Sequence, residues 1–243
     1  MRPYTLYEGL VYYSGGRAKS GKKGGRPRPL SDTHYGTVAS AHEDLLNDQT
    51  RLEWLADERG LELATAEQYQ LGYRGAYTVP VFSDQILVNV RRYTPAVEAR
   101  PGGPPKWMGM AGVKRLIYPD PLRMKHESWI LWCEGELDAL LARQHGLPAF
   151  TQTGGATSGL RSGWEPHFAG KNVAVAYDCD AAGAAGSLVV ARQMVSWGCT
   201  VRIVALGLGP AEDVSDFLHS YGHSAADLRD LVGETPKFEE PHR

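Results

Sequence analysis

Four acidic residues are spaced as though to share one cation: Glu134 and Asp138, four apart in "CEGELDALL", and Asp178 and Asp180, two apart in "AYDCDAAG". Each pair follows an apolar run that reads as a buried strand, and in open parallel sheets functional groups collect beyond the carboxyl ends of strands. Residues two apart on a strand face the same side, so Asp178 and Asp180 could present their oxygens together. Residues four apart share a helix face, which puts Asp138 one turn beyond Glu134. Carboxylates so crowded repel one another and stay ionised near neutral pH only when a cation or a basic group offsets them. Their hard oxygens suit Mg²⁺ or Mn²⁺, which keep waters and reach out to substrate phosphates. With no histidine or cysteine in the set, zinc is not expected. Asp180, just before "AAGAAG", has a plainer reading as a helix cap, and the residues alone leave that role open; three strand-edge acids in one domain favour a metal site.

Two further stretches fit such a site. "TQTGGATSG" brings Gly154 and Gly155 to the end of a strand, where bare backbone N–H groups could approach a phosphate or the metal, although glycines also mark ordinary turns. "GPAEDVSDFL" places Glu212, Asp213 and Asp216 beyond the last strand, either helping to hold a second metal or capping a helix. Cys179, between the two aspartates, is expected on the opposite face as a buried structural thiol.

The elements that must position these residues alternate from residue 129 onward. "SWILWCEG", "LPAFTQTGG", "NVAVAYDCD" and "CTVRIVALG" read as strands. "ELDALLARQHG" and "AAGAAGSLVVARQMVSWG" read as the helices among them. Apolar runs of this length separated by helices imply a mostly parallel sheet covered on both faces. The fold class expected is therefore α/β, with a smaller α+β unit in front. In that unit, "AHEDLLNDQTRLEWLADERG" suggests one or two amphipathic helices stopped by Gly60, and "TAEQYQLGY" a short one. "AYTVPVFSDQILVNVRRYT" suggests two strands around a turn at Ser83 and Asp84, with Pro80 favouring an edge position. Residues 95–121 read as a Pro/Gly-rich basic loop, and residues 15–36 as a flexible basic arm. The implied division is an arm over 1–40, an α+β unit over 41–127, an α/β domain over 128–222, and a C-terminal helix and tail over 223–243.

Charge is sorted along the chain although the formal net charge is only −2. Residues 1–30 hold seven of the 26 basic residues and residues 91–125 hold eight, so acids dominate the remainder. That separation suits one surface that grips polyanions and another that holds cations, although charge runs are also ordinary solvated faces. The three cysteines form no CxxC pair, which argues against a zinc knuckle or a disulfide framework and for a reducing cytoplasm. No run approaches the roughly 18 apolar residues of a membrane span, so no membrane association is expected.

"EGELD" followed by "YDCD" resembles the TOPRIM signature of primases, topoisomerases and some nucleases. "LGYRGAYTVPVFSDQILVNVRRYTP" and "PPKWMGMAGVKRLIYP" are similar to the part of bacterial and phage replicative primases that precedes their TOPRIM domain, and "EDVSDFL" to their acidic motif after the fourth strand. The resemblance covers roughly residues 45–220. It implies a DNA primase, which makes short RNA primers on single-stranded DNA from ribonucleoside triphosphates. Glu134, Asp178 and Asp180 would be metal ligands with Asp138 and Asp213 in support. Arg91, Arg92, Lys106, Lys114 and Arg115 would neutralise phosphates, and Trp107 would offer a stacking face.

The chain departs from that family at its start, where residues 1–44 lack the ligand spacing of the zinc module that commonly reads template sequence. A replicative helicase or a separate zinc-binding protein would then complete the system. The alternatives are a metal-dependent TOPRIM nuclease and a non-catalytic nucleic-acid-binding replication or recombination factor. A topoisomerase is disfavoured, because Tyr118 or Tyr177 cannot supply a strand-passage gate in so short a chain.

Overall fold

The structure, a computed structural model, describes residues 27–99, 101–103, 105–155 and 159–240. The first unit opens with helices α1 (Asp32–Leu46), α2 (Gln49–Arg59) and α3 (Leu63–Gln68). Gly60, at φ 65°, ends α2 in the left-handed conformation that glycine adopts at little cost. Strands β1 (Gly72–Tyr73), β2 (Tyr77–Ser83), β3 (Ile86–Tyr93) and β4 (Trp107–Met108) form an antiparallel sheet in that order. Asp84 and Gln85 make the β2–β3 turn at φ 52° and 64°, and both N–H groups donate to the Asp120 carboxylate. Pro80 pairs with Val90 on one side. On the other, β1 reaches only Thr78, so no ladder bond is demanded of the missing N–H.

The second unit contains β5 (Ile117–Tyr118), β6 (Trp129–Cys133), α4 (Glu136–Gln144), β7 (Ala149–Gln152), α5 (Glu165–Phe168), β8 (Asn172–Ala176), α6 (Ala181–Ser196), β9 (Thr200–Ile203) and α7 (Ala225–Glu234). Its sheet runs β5-β7-β6-β8-β9, with the last four strands parallel and β5 antiparallel at the edge. Alternation sorts the strand residues between two cores. Leu131, Cys133, Ala174 and Ala176 pack with Leu137, Leu140 and Leu141 of α4 and with the first unit. Ile130, Trp132, Val173 and Val175 pack with Phe168 of α5 and with Val190 and Met194 of α6.

Two expectations are corrected. Residues 1–26 of the basic arm lie outside the described residues, but from Asp32 the supposed arm is helix: Val38, Ala41 and Leu45 are spaced for one helical face and are buried. Gly, Pro and basic residues just upstream obscured that periodicity. The stretch over 95–121 is also not all loop. β4 extends the first sheet, and β5 carries the buried Ile117 and Tyr118 into the second. Two-residue strands have no periodicity to read; they exist because a neighbouring strand is there to pair with.

Helix α4 joins the units. The side-chain oxygen of Gln144 accepts from the Glu62 N–H (2.9 Å) and the Thr65 hydroxyl (2.6 Å), and its amide donates to the Gly60 carbonyl (2.8 Å). Arg143 Nε donates to the Tyr69 hydroxyl at 2.8 Å. At the opposite end of α4, Arg91 Nε on β3 donates to Glu136 Oε1 at 2.7 Å, and both side chains are almost wholly buried. Burial raises the Glu136 carboxyl pKa and the Arg91 charge opposes the rise. Removing one member of a buried ion pair strands the other, so Glu136→Ala should cost about 3–5 kcal/mol in denaturant unfolding. A loss below about 1 kcal/mol would show that the pair does not hold the units together.

Candidate metal and nucleotide site

The carboxyl ends of β6 and β8 and the segment after β9 converge on one point. Carboxylate oxygens of Asp138, Asp178 and Asp213 lie within 4.8 Å of one another, a spacing that suits three ligands of one cation. Asp138 sits in the first turn of α4, where Oδ2 accepts from the Gly135 N–H (3.1 Å) and Oδ1 from the Ser215 hydroxyl (2.5 Å). Asp178 is two residues past the end of β8. Asp213 is set by a reciprocal pair with Asp216, each backbone N–H donating to the other's carboxylate at 3.0 Å. The last two segments are tied together, because the Cys179 N–H donates to the Glu212 carbonyl (2.8 Å) and the Ala211 N–H to the Cys179 carbonyl (3.1 Å).

Crowding and burial keep these acids protonated above the usual carboxylate range. Burial first, then the charges of Glu134, Asp213 and Asp180, push Asp178 up to about 7. Burial raises both Asp138 and Asp213, with neighbouring carboxylates adding to each rise. Glu134 is raised chiefly by burial. A divalent cation bound there would displace these protons.

These acids line a cleft of about 380 Å³ together with Arg59, Arg91, Tyr93, Lys106, Trp107, Glu134, Glu136, Gly154 and Gly155. Nine of the residues expected from sequence therefore meet: Glu134, Asp138, Asp178, Asp213, Arg91, Lys106, Trp107, Gly154 and Gly155. Glu134 is not a member of the close triad; its Oε2 accepts from the Asp178 N–H at 3.3 Å and so holds the loop. Lys106 lies close enough to lower the Asp178 and Glu134 pKa values. Gly154 and Gly155, at φ 101° and 87°, adopt backbone that favours glycine.

Four expected residues do not line the cleft. Asp180 is an exposed helix cap whose Oδ1 accepts from the Gly183 N–H at 2.7 Å, because β8 ends at Ala176 and strand alternation no longer applies beyond it. For the same reason Cys179 is only partly buried. Arg92 follows the buried Arg91 on β3, faces outward, and donates to the Arg74 carbonyl at 3.1 Å. Lys114 is exposed, and Arg115 donates to the Gly159 carbonyl at 2.7 Å, bracing the loop after β7. Arg91 lines the cleft with its Nε committed to Glu136 and its guanidinium 5.3 Å from the Trp107 ring centre.

Arg59, Tyr93, Glu136 and Ser215 escaped the sequence reading. Arg59 ends α2, donates to the Tyr93 hydroxyl, and its charge opposes the rise in the Asp138 pKa. Its one sequence signal is a basic residue in the last turn before a capping glycine, which most helices share.

Three outcomes follow from this geometry. A raised acid pKa stabilises the fold below its unfolded value of 3.8, and that contribution is lost as pH climbs through about 7 for Asp178. The cation-free protein should therefore melt at lower temperature at pH 8 than at pH 5. Mn²⁺ affinity should rise about tenfold between pH 6 and pH 8, as at least one proton is displaced; affinity flat across that range would count against the cluster. A Cβ on Gly183 would lie 2.2 Å from the Asp178 carbonyl oxygen. Gly183→Ala should accordingly destabilise by about 1–3 kcal/mol and abolish the Mn²⁺-induced rise in melting temperature.

No protein-family model matches the chain, and no curated protein matches it either. Solved structures do. The zinc-binding and RNA polymerase domains of the Aquifex aeolicus primase match with a TM-score of 0.69 at 18% identity, over 84% of this chain and 60% of that one. The RNA polymerase domain of the Mycobacterium tuberculosis primase DnaG matches with a TM-score of 0.61 at 14% identity, over 84% of each chain. A DnaG primase catalytic domain bound to single-stranded DNA also has a TM-score of 0.61, at 11% identity, over 84% of this chain and 80% of that one. This chain spans about 60% of the Aquifex fragment, and over most of its length it has the fold of the catalytic core of bacterial primases.

Proposed function

We propose that the protein is a DNA primase, a metal-dependent nucleotidyltransferase that joins ribonucleoside triphosphates into short RNA primers on single-stranded DNA during phage, plasmid or bacterial replication. The observation that carries this reading is the cleft itself, with a carboxylate triad on one wall and Arg59, Lys106 and Trp107 lining the same space. A nuclease would need the acids; the cationic and aromatic residues brought beside them by the first unit suit a nucleoside triphosphate as well.

Asp138, Asp178 and Asp213 would hold Mg²⁺ or Mn²⁺, with Glu134 fixing the backbone of the Asp178 loop. When bound, the cation supplies neutralisation of phosphate charge and activation of a 3′-hydroxyl. Lys106 and Arg59 oppose the negative charge of the triphosphate, and the half-exposed face of Trp107 is available to a base. Gly154 and Gly155 bring backbone close to the cleft without side chains in the way. Arg91 acts by building the wall, its charge balanced by Glu136. Asp180, Arg92, Lys114 and Arg115 serve at the margin, through the α6 cap and the approach of the template backbone.

The partners on this reading are single-stranded template, ribonucleotides, and a replicative helicase or a separate zinc-binding protein that supplies template choice; the compartment is the cytoplasm of a bacterial or phage-infected cell. Among the described residues no helix is long and apolar enough to cross a membrane. The test incubates the protein with single-stranded DNA, labelled ribonucleotides and Mg²⁺ or Mn²⁺, and follows product and template together. Labelled RNA should form, and Asp178→Asn should slow its synthesis at least about 100-fold, since several kcal/mol of charge stabilisation are at stake. A shortened template with no labelled RNA would replace this reading by nuclease activity.

A further inference from the structure

The segment after β9 touches both sides of the cleft. Its start is tied to the Asp178 loop through Cys179, and Asp213 joins the triad from it. Residues 216–220 then form a single π-helical turn, a rare conformation that recurs where a side chain must be aimed. Phe217 and Leu218 anchor that turn in the core, 5% and 3% exposed. Two polar side chains, one just before the turn and one within it, point in different directions. Ser215, itself buried, donates to Asp138 Oδ1 at 2.5 Å. His219 donates from Nε2 to the Asp57 carbonyl at 2.8 Å in the last turn of α2, and its ring packs so close to Gly60 that a Cβ there would lie 2.9 Å from it. Between Asp57 and Gly60 stands Arg59, whose Nε is buried and has no hydrogen-bond partner among the described residues.

We propose that Ser215 and His219 are positioning residues, and that the segment carrying them sets the spacing between the carboxylate triad and the Arg59 guanidinium. Ser215 turns Asp138, whose other oxygen is already engaged by the Gly135 N–H. With both oxygens oriented by donors, the carboxylate has one way to face Asp178 and Asp213. An alanine at 215 frees it to rotate. His219 holds the carboxyl end of α2 against the same segment, so that Arg59 enters the cleft at a fixed distance from the acids. Neither residue lines the cleft, and each acts through a residue that does. The inference rests on the proposed site but not on the reaction performed there.

The test separates the two holds with probes that need no turnover. Mn²⁺ binding is followed by electron paramagnetic resonance, and binding of tripolyphosphate in saturating Mn²⁺ by calorimetry, on the full chain and its variants. Ser215→Ala should weaken Mn²⁺ binding roughly tenfold or more, the loss of a hydrogen bond to a charged group, while Ser215→Thr, which keeps the hydroxyl, stays within about threefold of wild type. His219→Ala should leave Mn²⁺ affinity unchanged and weaken tripolyphosphate roughly tenfold, and His219→Gln, which retains an N–H donor, should recover most of it. Melting of each variant without cation reports folding. Should Ser215→Ala not fold, Ser215→Cys, with a feebler donor of similar size, should show a smaller loss in the same direction. Wild-type Mn²⁺ affinity in folded Ser215→Ala or Ser215→Cys, or wild-type tripolyphosphate affinity in His219→Ala, overturns the proposal. Because neither measurement involves nucleic acid, failure to make RNA would leave it standing.

Discussion

Three carboxylates held within 4.8 Å of one another set the terms for the rest of the molecule. Left in water they would separate; here Asp138 and Asp213 are fixed by backbone N–H groups or a hydroxyl, and all three are withdrawn from solvent in large part, so each holds its proton more tightly than a free aspartate. The repulsion is offset in two ways. Protons satisfy the cluster when nothing else is present, and a divalent cation, aided by the positive charges of Lys106 and Arg59, would do so when substrate phosphates arrive. Such a site has to be enforced by strong tertiary structure, because local preference opposes it.

That enforcement comes from segments far apart in the chain. Asp138 is placed by α4, Asp178 by the end of β8, and Asp213 by the segment after β9, and the backbone bonds between Cys179 and residues 211–212 stop the last two from spreading. The cationic wall comes from the other unit. Its placement depends on α4, which offers Gln144 and Arg143 to the helices at one end and Glu136 to Arg91 at the other. One nine-residue helix thus presents one carboxylate of the triad and fixes the distance to the opposing arginine and lysine.

Much of this was legible beforehand. The strands carrying "SWILWC" and "NVAVA" declare themselves because a strand buried on both faces must be apolar throughout. Acids at their ends stand out against that background, and nine expected residues do share the cleft. The misreadings have physical causes. Asp180 caps α6 rather than joining the close triad because alternation holds only while the strand lasts, and β8 ends at Ala176. Arg92 lies outside the cleft because adjacent strand residues face opposite ways, and the residues alone gave no reason to choose Arg91 for the inside. β4 and β5 are too short for any period, and α1 begins inside a stretch whose composition resembles a linker.

From the sequence alone came the α/β class, the strand and helix succession, the hard-oxygen chemistry of the site and the resemblance to primases. All of these rest on local pattern, in which hydrophobic period and residue type are read over ten or twenty neighbours. Tertiary structure alone decided which carboxylates form the triad, that Arg59 joins them, that Arg91 is matched by Glu136, and that Ser215 turns Asp138. Those pairings link residues as far apart as Arg59 and Asp213, 154 positions along the chain. Between such partners no periodicity runs, and only the packing of the two units around α4 brings their charges within reach of one another.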